Sequence, residues 1–600
     1  MPRLHSGVWK HFTPAIKDGK ETFMCNYCSK TYTKNATKMQ MHLDKCKEYS
    51  MVSQQSPCSD GSSSASIPVP SSSFLPSATP GGQFLIDSVD QRSQAYADEC
   101  LARAVYATSS PLTLTDNIYW KRFFSVLRPA YCPPTREALS THLLDCEYNR
   151  VQSQVLEAIR KAESVTIISY GWSDIKETGT VIYVVATPVP LFYKCTKTKE
   201  QIHTSTFIAE QLKTIINEVG PQKVFAVVTD DAPDMMAAWA QVEEAFPHIS
   251  AIGCTACGIQ QLFDDIVAQP SMKALCRRAE QVIRYFREQK VLAVTFECWQ
   301  MTVTRNHATN WTELARPTGS ECTGVLNMIS SLLAHQNTLQ ELSVSPTLDV
   351  EASIRTTLQD AAFWKGLSSS RNLLYMIGNS IDYMKREDAV LSGVVDMFSQ
   401  LRCHIGVSLS GSVLRSAEQK AVMASLDRCQ EFCIKPIHTA AYMLDPSHVG
   451  QQTLSGEQIN SAYYMISSLS HHLDLDEGKV LGSFARYSAK QGLWKGAGIW
   501  SSCQHVSAST WWKGLCSSEP LSAVACAILQ IPPTAGACEQ LRSRLCDTKK
   551  ERHQGCLSAD KAQKLVAVQA NLNLLVPSDT EYAPLESEEE KKVLFQSETQ

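Results

Sequence analysis

Apolar residues recur every three or four positions in two stretches of the chain, DQRSQAYADECLARAVYAT and REALSTHLLDCEYNRVQSQVLEAIRKAE. This period is typical of amphipathic helices, so we expect a helical region over residues 91–162. Continuous apolar runs follow in SVTIIS, which ends at Ser169, and then in TVIYVVATPVP and LFYKC. After the helix-like FIAEQLKTIINEV comes a fourth run, KVFAVVT, which ends at Thr229. The four apolar runs predict strands.

The order of these elements indicates a fold class. Three strands, a helix and a fourth strand are the order of a ribonuclease-H-like α/β core, which we place at residues 163–320. Residues 321–510 show one helical pattern after another and predict an all-helical insertion that interrupts this core. Helical patterning continues over residues 511–577, which we expect to complete the core. The chain is therefore predicted to be multidomain.

Composition and charge indicate the character of the segments outside these predicted elements. With 600 residues, of which 44% are hydrophobic and 19% charged, the chain is expected to fold into several domains. Residues 51–90 are rich in Ser and Pro and predict a disordered linker, and residues 578–600 predict an acidic disordered tail. Residues 1–50 are rich in Lys and Arg, but the net charge of the whole chain is -4. A chain that is basic throughout is excluded, so any nucleic-acid binding must be local.

The sequence also bears on the cellular compartment. No run approaches the roughly 18 apolar residues that a membrane helix needs, and the first residues lack the apolar core of a signal peptide. We therefore expect a soluble intracellular protein with no membrane partner. In that setting the 22 cysteines are expected to be reduced thiols and metal ligands rather than a disulfide framework.

Residues 1–50 contain one metal-ligand pattern, C-x2-C-x13-H-x3-C, formed by Cys25, Cys28, His42 and Cys46. Zn²⁺ prefers tetrahedral sulfur and nitrogen ligands, and a C-x2-C pair fits a tight turn. His42 and Cys46 are four residues apart, so we expect both on one face of the helix NATKMQMHLDKC. Four protein ligands leave no open position, which predicts a structural zinc ion in a small zinc finger. The alternative is a chance spacing among many cysteines.

Trp9 and Phe12, in VWKHF, precede this pattern. Together with it they resemble the BED-type zinc fingers, which are DNA-binding modules of many transposases and chromatin proteins. The resemblance covers residues 6–48 and implies double-stranded DNA as a partner. The side chains expected to contact phosphates are Lys30, Lys34 and Lys38, and those expected to reach base edges are Asn35 and Thr37. The alternative for each of them is a solvated position at the start of a helix.

Seven motifs follow in the rest of the chain: LRPAYCPPTREALSTHLL, SYGWSDI, VVTDDAPDMMAA, GCTACGIQQLFDDI, HTAAYMLDPS, STWWKGL and AILQIPPTAGACEQL. In this order and spacing they resemble the hAT-superfamily transposases over about residues 110–575. The resemblance implies a site of two Asp and one Glu that holds paired divalent metal ions. The first Asp is matched here by Tyr170, the second by Asp230 and the Glu by Glu539.

Two further motifs of that family are altered in this chain. Its Cys-x-x-His corresponds to Cys254 and Cys257, and its Thr-Arg-Trp element corresponds to residues 318–320. A phenol is a poor ligand for Mg²⁺, so Tyr170 should remove much of the charge that a metal pair needs. We therefore expect a transposase-like core without catalytic residues. We expect Cys254 and Cys257 to be buried thiols of this altered motif. The alternatives are that they form half of a second zinc site or a redox pair.

These resemblances favour a domesticated hAT transposase: a nuclear, zinc-dependent DNA-binding protein that regulates transcription or chromatin as a homodimer, together with chromatin or transcription proteins. One alternative is a scaffold whose finger binds protein or RNA. Another is an active DNA transposase that uses Asp174, Asp230 and Glu539.

The expected homodimer rests on the C-terminal helices, because the family resemblance places its dimerisation region in residues 511–577. That region carries an apolar stripe formed by Leu565, Val568, Leu572 and Leu575. The alternative is that the stripe packs on the core of its own chain.

Overall fold

The computed structural model describes residues 11–17, 20–28, 30–32, 36–43, 45–46, 89–173, 179–198, 204–296, 314–315, 322–346, 348–451, 454–553 and 558–575. The chain divides into two compact units, Met1–Leu85 and Ile86–Gln600. Nearly all of the predicted linker and the whole of the predicted acidic tail lie outside the described residues.

The described residues of the first unit form a small antiparallel sheet and a helix: β1 (Phe12–Lys17), β2 (Lys20–Cys25), β3 (Thr31–Tyr32) and α1 (Ala36–Leu43). The strands are arranged in the order β1-β2-β3. The apolar side chains Phe12, Phe23 and Met39 are buried together with Cys25 and Cys46. Among the described residues of this unit, these few side chains bury little apolar area. We therefore expect a bound metal ion to contribute to the stability of a unit this small.

The second unit opens with helices α2 (Gln91–Ala107), α3 (Ile118–Leu127), α4 (Arg136–Ser140) and α5 (His142–Lys161). Five strands and two helices follow: β4 (Val165–Ser173), β5 (Gly179–Ala186), β6 (Pro190–Thr198), α6 (Ser205–Val219), β7 (Val224–Thr229), α7 (Pro233–Ala245) and β8 (Ser250–Gly253). The strands form one mixed sheet. Its order is β6-β5-β4-β7-β8.

The directions of the strands follow from their pairing. β4, β7 and β8 are parallel, whereas β5 is antiparallel to β4 and β6 is antiparallel to β5. Every residue of β5 and β7 is buried. Successive residues such as Ile167 and Ile168 belong to separate apolar clusters, because successive side chains point to opposite faces of a sheet.

The four strands predicted from apolar runs are therefore present as β4, β5, β6 and β7. Their runs are continuous because both faces of the sheet are covered. β8 is a further strand that the apolar pattern did not predict.

After the sheet, the described residues between Thr255 and Leu529 form helices and short turns without a strand. The helices include α8 (Thr255–Val267), α9 (Pro270–Glu288), α10 (Cys322–Ala334), α11 (Gln336–Val344), α12 (Ala352–Gln359), α13 (Ala361–Met384), α14 (Gly393–Leu409), α15 (Ser416–Cys433), α16 (Pro436–Leu444), α17 (Gly456–His472), α18 (Glu477–Ser488), α19 (Ala497–Ser501), α20 (Ala508–Leu515) and α21 (Leu521–Leu529). Trp494, Trp511 and Trp512 are fully buried and pack around Tyr487.

Of the helices in the described ranges, none combines the length and the hydropathy that crossing a membrane requires.

Two C-terminal helices, α22 (Gly536–His553) and α23 (Ala559–Leu575), return to the sheet. Leu565, Val568 and Leu572 are buried in the apolar cluster that also contains one face of the sheet. The side chain of Asn571 donates to the backbone oxygen of Phe192, in the edge strand β6, and accepts from its N–H, both at 2.8 Å.

The apolar stripe of α23 therefore packs on the core of its own chain. It does not offer an exposed dimer surface, because its side chains already pack on the chain's own sheet and helices. Dimerisation itself stays a prediction, without support from this stripe.

Candidate functional site

The four predicted zinc ligands of the first unit converge. The ligand atoms of Cys25, Cys28, His42 and Cys46 all lie within 4.8 Å of one another. Cys28 Sγ is 3.1 Å from His42 Nε2. Cys25 and Cys46 are buried, and the other two are half-buried. This arrangement can hold a metal ion.

Short-range backbone contacts bring the ligands together. β2 ends at Cys25, whose N–H donates to the Lys30 oxygen at 2.9 Å, so that the chain turns tightly through Cys28. His42 lies in the last turn of α1. The prediction that His42 and Cys46 share one helical face is wrong, because α1 ends at Leu43 and the chain then turns. Cys46 follows this turn, in which the Lys45 N–H donates to the His42 oxygen at 3.0 Å.

The surroundings of the cluster favour negative charge on sulfur. Burial alone would raise the pKa of the Cys25 thiol, but hydrogen bonds from the backbone N–H groups of Cys28 and Tyr27 help to lower it below its usual value. The ring of His42 packs against Tyr32, with ring centroids 4.8 Å apart. Three sulfurs and one imidazole nitrogen are the donors of a closed tetrahedral zinc site, so the cluster is consistent with zinc.

Three of the five predicted DNA-contact residues, Lys30, Thr37 and Lys38, belong to the described part of the first unit. Lys30 and Lys38 are exposed, and Lys38 and Thr37 belong to α1. Lys34 and Asn35 lie outside the described residues. Their proposed contacts with DNA stay predictions.

The second unit brings together the three positions that correspond to the transposase carboxylates. Tyr170 lies on β4, Asp230 directly follows the neighbouring strand β7, and Glu539 lies in the first turn of α22. Asp230 is buried, with one carboxylate oxygen accepting the Gly171 N–H at 3.1 Å and the other accepting the Ala232 N–H at 3.2 Å. Asp174 and residues 318–320 lie outside the described residues.

The charges of the side chains around Asp230 differ from those of a magnesium site. Burial raises the pKa of Asp230 to about 6, despite the hydrogen bonds from Gly171 and Ala232. Burial also raises the pKa of Tyr170 to about 12, so its phenol is neutral. The phenol oxygen accepts a hydrogen bond from Arg542 Nη1 at 3.1 Å, and the guanidinium lies 5.9 Å from the centre of the ring. A cationic side chain therefore lies beside the position of the first acid.

Arg542 did not emerge from the sequence as a site residue. Its position three residues after Glu539 places both side chains on neighbouring positions of α22. That helical spacing is the signal that could have identified it, once Glu539 was assigned.

The two cysteines of the altered Cys-x-x-His motif lie next to Glu539. Cys254 is fully buried directly before α8, and Cys257 lies in the first turn of that helix. Cys257 Sγ is 3.4 Å from Glu539 Oε1. The side chain of Cys254 raises the pKa of the Cys257 thiol well above its usual value, and burial and Glu539 add to this effect.

Residues 134–282 match a protein family described as a domain of unknown function, DUF659. DUF659 is related to the hAT transposases, so the match supports a transposase-derived protein. The matched segment contains all five strands of the sheet and Asp230, but neither the first unit nor Glu539. No curated protein matches the chain. The BED type of the finger stays a prediction.

Proposed function

We propose that the protein is a domesticated hAT transposase, which binds double-stranded DNA through a zinc-dependent BED-type finger and regulates transcription or chromatin in the nucleus. The observation that carries this proposal is the convergence of the four predicted ligands in a unit whose described residues form only a small apolar core. Zinc binding at such a cluster supplies the folding free energy that the core lacks. The exposed Lys30 and Lys38 add positive charge beside it.

The sheet supports a ribonuclease-H-like origin for the second unit. Its order is β6-β5-β4-β7-β8, and only β5 runs antiparallel to the other four strands, which is the arrangement expected from three strands, a helix and a fourth strand. Asp230 follows a strand that pairs with the strand of Tyr170, as neighbouring catalytic positions of such a fold require. The DUF659 match over this sheet points the same way.

The charges at the relic site support the loss of transposase chemistry. A pair of divalent ions needs several carboxylate ligands close together. Here a neutral phenol occupies the first position, and Arg542 donates to it. A guanidinium at this place repels a metal ion that the missing carboxylate would have attracted.

Dimerisation would add to the affinity of a single finger. One finger buries little surface on DNA and contacts few bases. A second tethered finger raises the apparent affinity through its effective concentration, with residues 51–90 setting the span. This part of the proposal does not rest on the buried stripe of α23.

Duplex binding by the full chain tests the proposal. Fluorescence anisotropy is measured with a labelled duplex for the wild type, for Cys28→Ser and for the control Cys132→Ser, which removes an exposed cysteine outside the finger. We expect binding by the wild type and the control, and its loss in Cys28→Ser. If Lys30, Lys34 and Lys38 each release one counterion, affinity falls about 40-fold between 50 and 200 mM salt. Equal binding by Cys28→Ser would refute the role of the finger.

Cleavage of supercoiled plasmid tests the loss of catalysis. The full chain is incubated with plasmid and either Mg²⁺ or Mn²⁺, together with the variant Asp230→Ala. We expect no metal-dependent nicking by either protein, because the site lacks its first carboxylate. Nicking by the wild type that disappears in Asp230→Ala would show an active nuclease and contradict this part of the proposal.

A further inference from the structure

A second cluster of metal-ligating side chains lies in the second unit. Cys254 follows β8, Cys257 lies in the first turn of α8, and Glu539 comes from the first turn of α22. Their sulfur atoms and a carboxylate oxygen all lie within 4.8 Å of one another. We propose that these three residues bind one zinc ion, which links α8 to the C-terminal helix α22.

The observed separations fit such an ion. In a tetrahedral site with Zn–S near 2.3 Å and Zn–O near 2.0 Å, a sulfur and an oxygen ligand lie about 3.5 Å apart. Cys257 Sγ and Glu539 Oε1 are 3.4 Å apart. This pair therefore has the spacing of two zinc ligands without rearrangement, although its members are 282 residues apart in the sequence.

Two backbone N–H groups contact the sulfur of Cys254. Its Sγ accepts the backbone N–H of Cys257 at 3.4 Å and that of Ala535 at 3.2 Å. Hydrogen bonds from backbone N–H groups also reach Cys25 in the finger.

Tight packing fixes the position of the first turn of α8. A Cβ atom at Gly258 would lie 2.5 Å from Cys433 Sγ, and one at Gly253 would lie 2.3 Å from the tip of the Phe432 ring. The two glycines thus allow α15 to approach the segment that carries both cysteines. The cysteines are held on a rigid element, which favours a preorganised site.

The ligand set selects the metal. Two sulfurs and one carboxylate suit zinc, whereas Mg²⁺ prefers oxygen ligands only. Three protein ligands leave one tetrahedral position for water or another donor. The site is independent of the proposed DNA binding, because its residues lie outside the finger.

Counting zinc in the full chain tests the site. The protein is purified under reducing conditions from zinc-supplemented cells, and bound zinc is counted by native mass spectrometry. We expect two ions in the wild type, one in the finger variant Cys25→Ser/Cys28→Ser and one in Cys257→Ala. The control Cys276→Ala, which removes a half-buried cysteine outside both clusters, should retain two. A single ion in the wild type that is lost in the finger variant would overturn the proposal, as would a Cys254–Cys257 disulfide, seen as a mass lower by two hydrogens.

A second measurement does not depend on the folding of Cys257→Ala. The finger variant retains only the proposed site, so loading it with Co²⁺ should produce thiolate-to-cobalt charge-transfer absorption. Adding Glu539→Gln to this variant should weaken cobalt binding roughly tenfold or more, because a charged ligand is lost. Absence of the absorption band, or unchanged affinity in the Glu539→Gln protein, would overturn the site.

Discussion

The buried His438 is expected to make the second unit sensitive to acid. It lies in the first turn of α16 with no exposed surface. Its Nδ1 atom accepts the backbone N–H of Lys435 at 3.1 Å, and its Nε2 atom is buried without a partner among the described residues. Protonation would place a second N–H against the Lys435 donor. Burial lowers the pKa of His438 to about 3, and the charge of Lys435 adds to this effect.

The size of the effect follows from proton linkage. Near pH 7 the imidazole is neutral in both the folded and the unfolded chain, so it contributes almost nothing. Below the unfolded pKa, near 6.5, the unfolded chain takes up a proton that the folded chain resists, and stability falls as the pH falls towards the folded pKa. With a folded pKa of about 3, the loss between pH 7 and pH 5 is about 2 kcal/mol.

The variant His438→Gln isolates this contribution. Glutamine at this third helical position can still accept the Lys435 N–H, as in a capping box, but it does not titrate. Urea unfolding of the full chain at pH 7 and pH 5 gives the free energy of unfolding for both proteins. We expect the wild type to lose about 2 kcal/mol more than the variant over this range. Equal losses in the two proteins would show that His438 does not cause the acid sensitivity.

Three further predictions concern the finger, the sheet edge and the packing of α8. A peptide of residues 1–50 should show ordered circular dichroism with zinc, and lose it with chelator or in Cys28→Ser, because the metal stabilises the fold; order without zinc would contradict this. Asn571→Ala should lower the free energy of unfolding by about 2–4 kcal/mol in urea, because Phe192 loses two buried hydrogen-bond partners. Gly258→Ala should cost about 1–3 kcal/mol in the same assay, because its Cβ would lie 2.5 Å from a cysteine sulfur of α15. An unchanged midpoint in either variant would count against the packing described.

The sheet could be predicted from sequence where its strands are buried on both faces. β5 and β7 are buried throughout, and this burial produces the continuous apolar runs that indicate strands. β8 spans only Ser250–Gly253, in which three of the four residues are small, and therefore leaves no such run. Strand position was predictable from local composition, but the short edge strand depends on pairing with β7.

The two candidate sites differ in how far sequence reasoning reaches. The four finger ligands lie close together in the sequence, so their spacing alone predicted the cluster. It did not predict the turn that separates Cys46 from α1. The approach of Cys257 to Glu539 and of Arg542 to Tyr170 requires the fold, because each pair joins distant parts of the chain. Periodicity showed that one face of α23 is buried, but it could not show that the chain's own sheet covers it.

Selection of bound sequences from a random duplex pool shows whether the finger recognises a DNA sequence. The full chain and Cys28→Ser are each incubated with the pool in zinc-containing buffer at physiological salt, and the retained duplexes are sequenced after several rounds. Base contacts by the finger would specify the target sequence. We therefore expect the wild type to enrich one defined motif and the variant to enrich none. A wild type that enriches no motif, or a variant that enriches the same one, would contradict it.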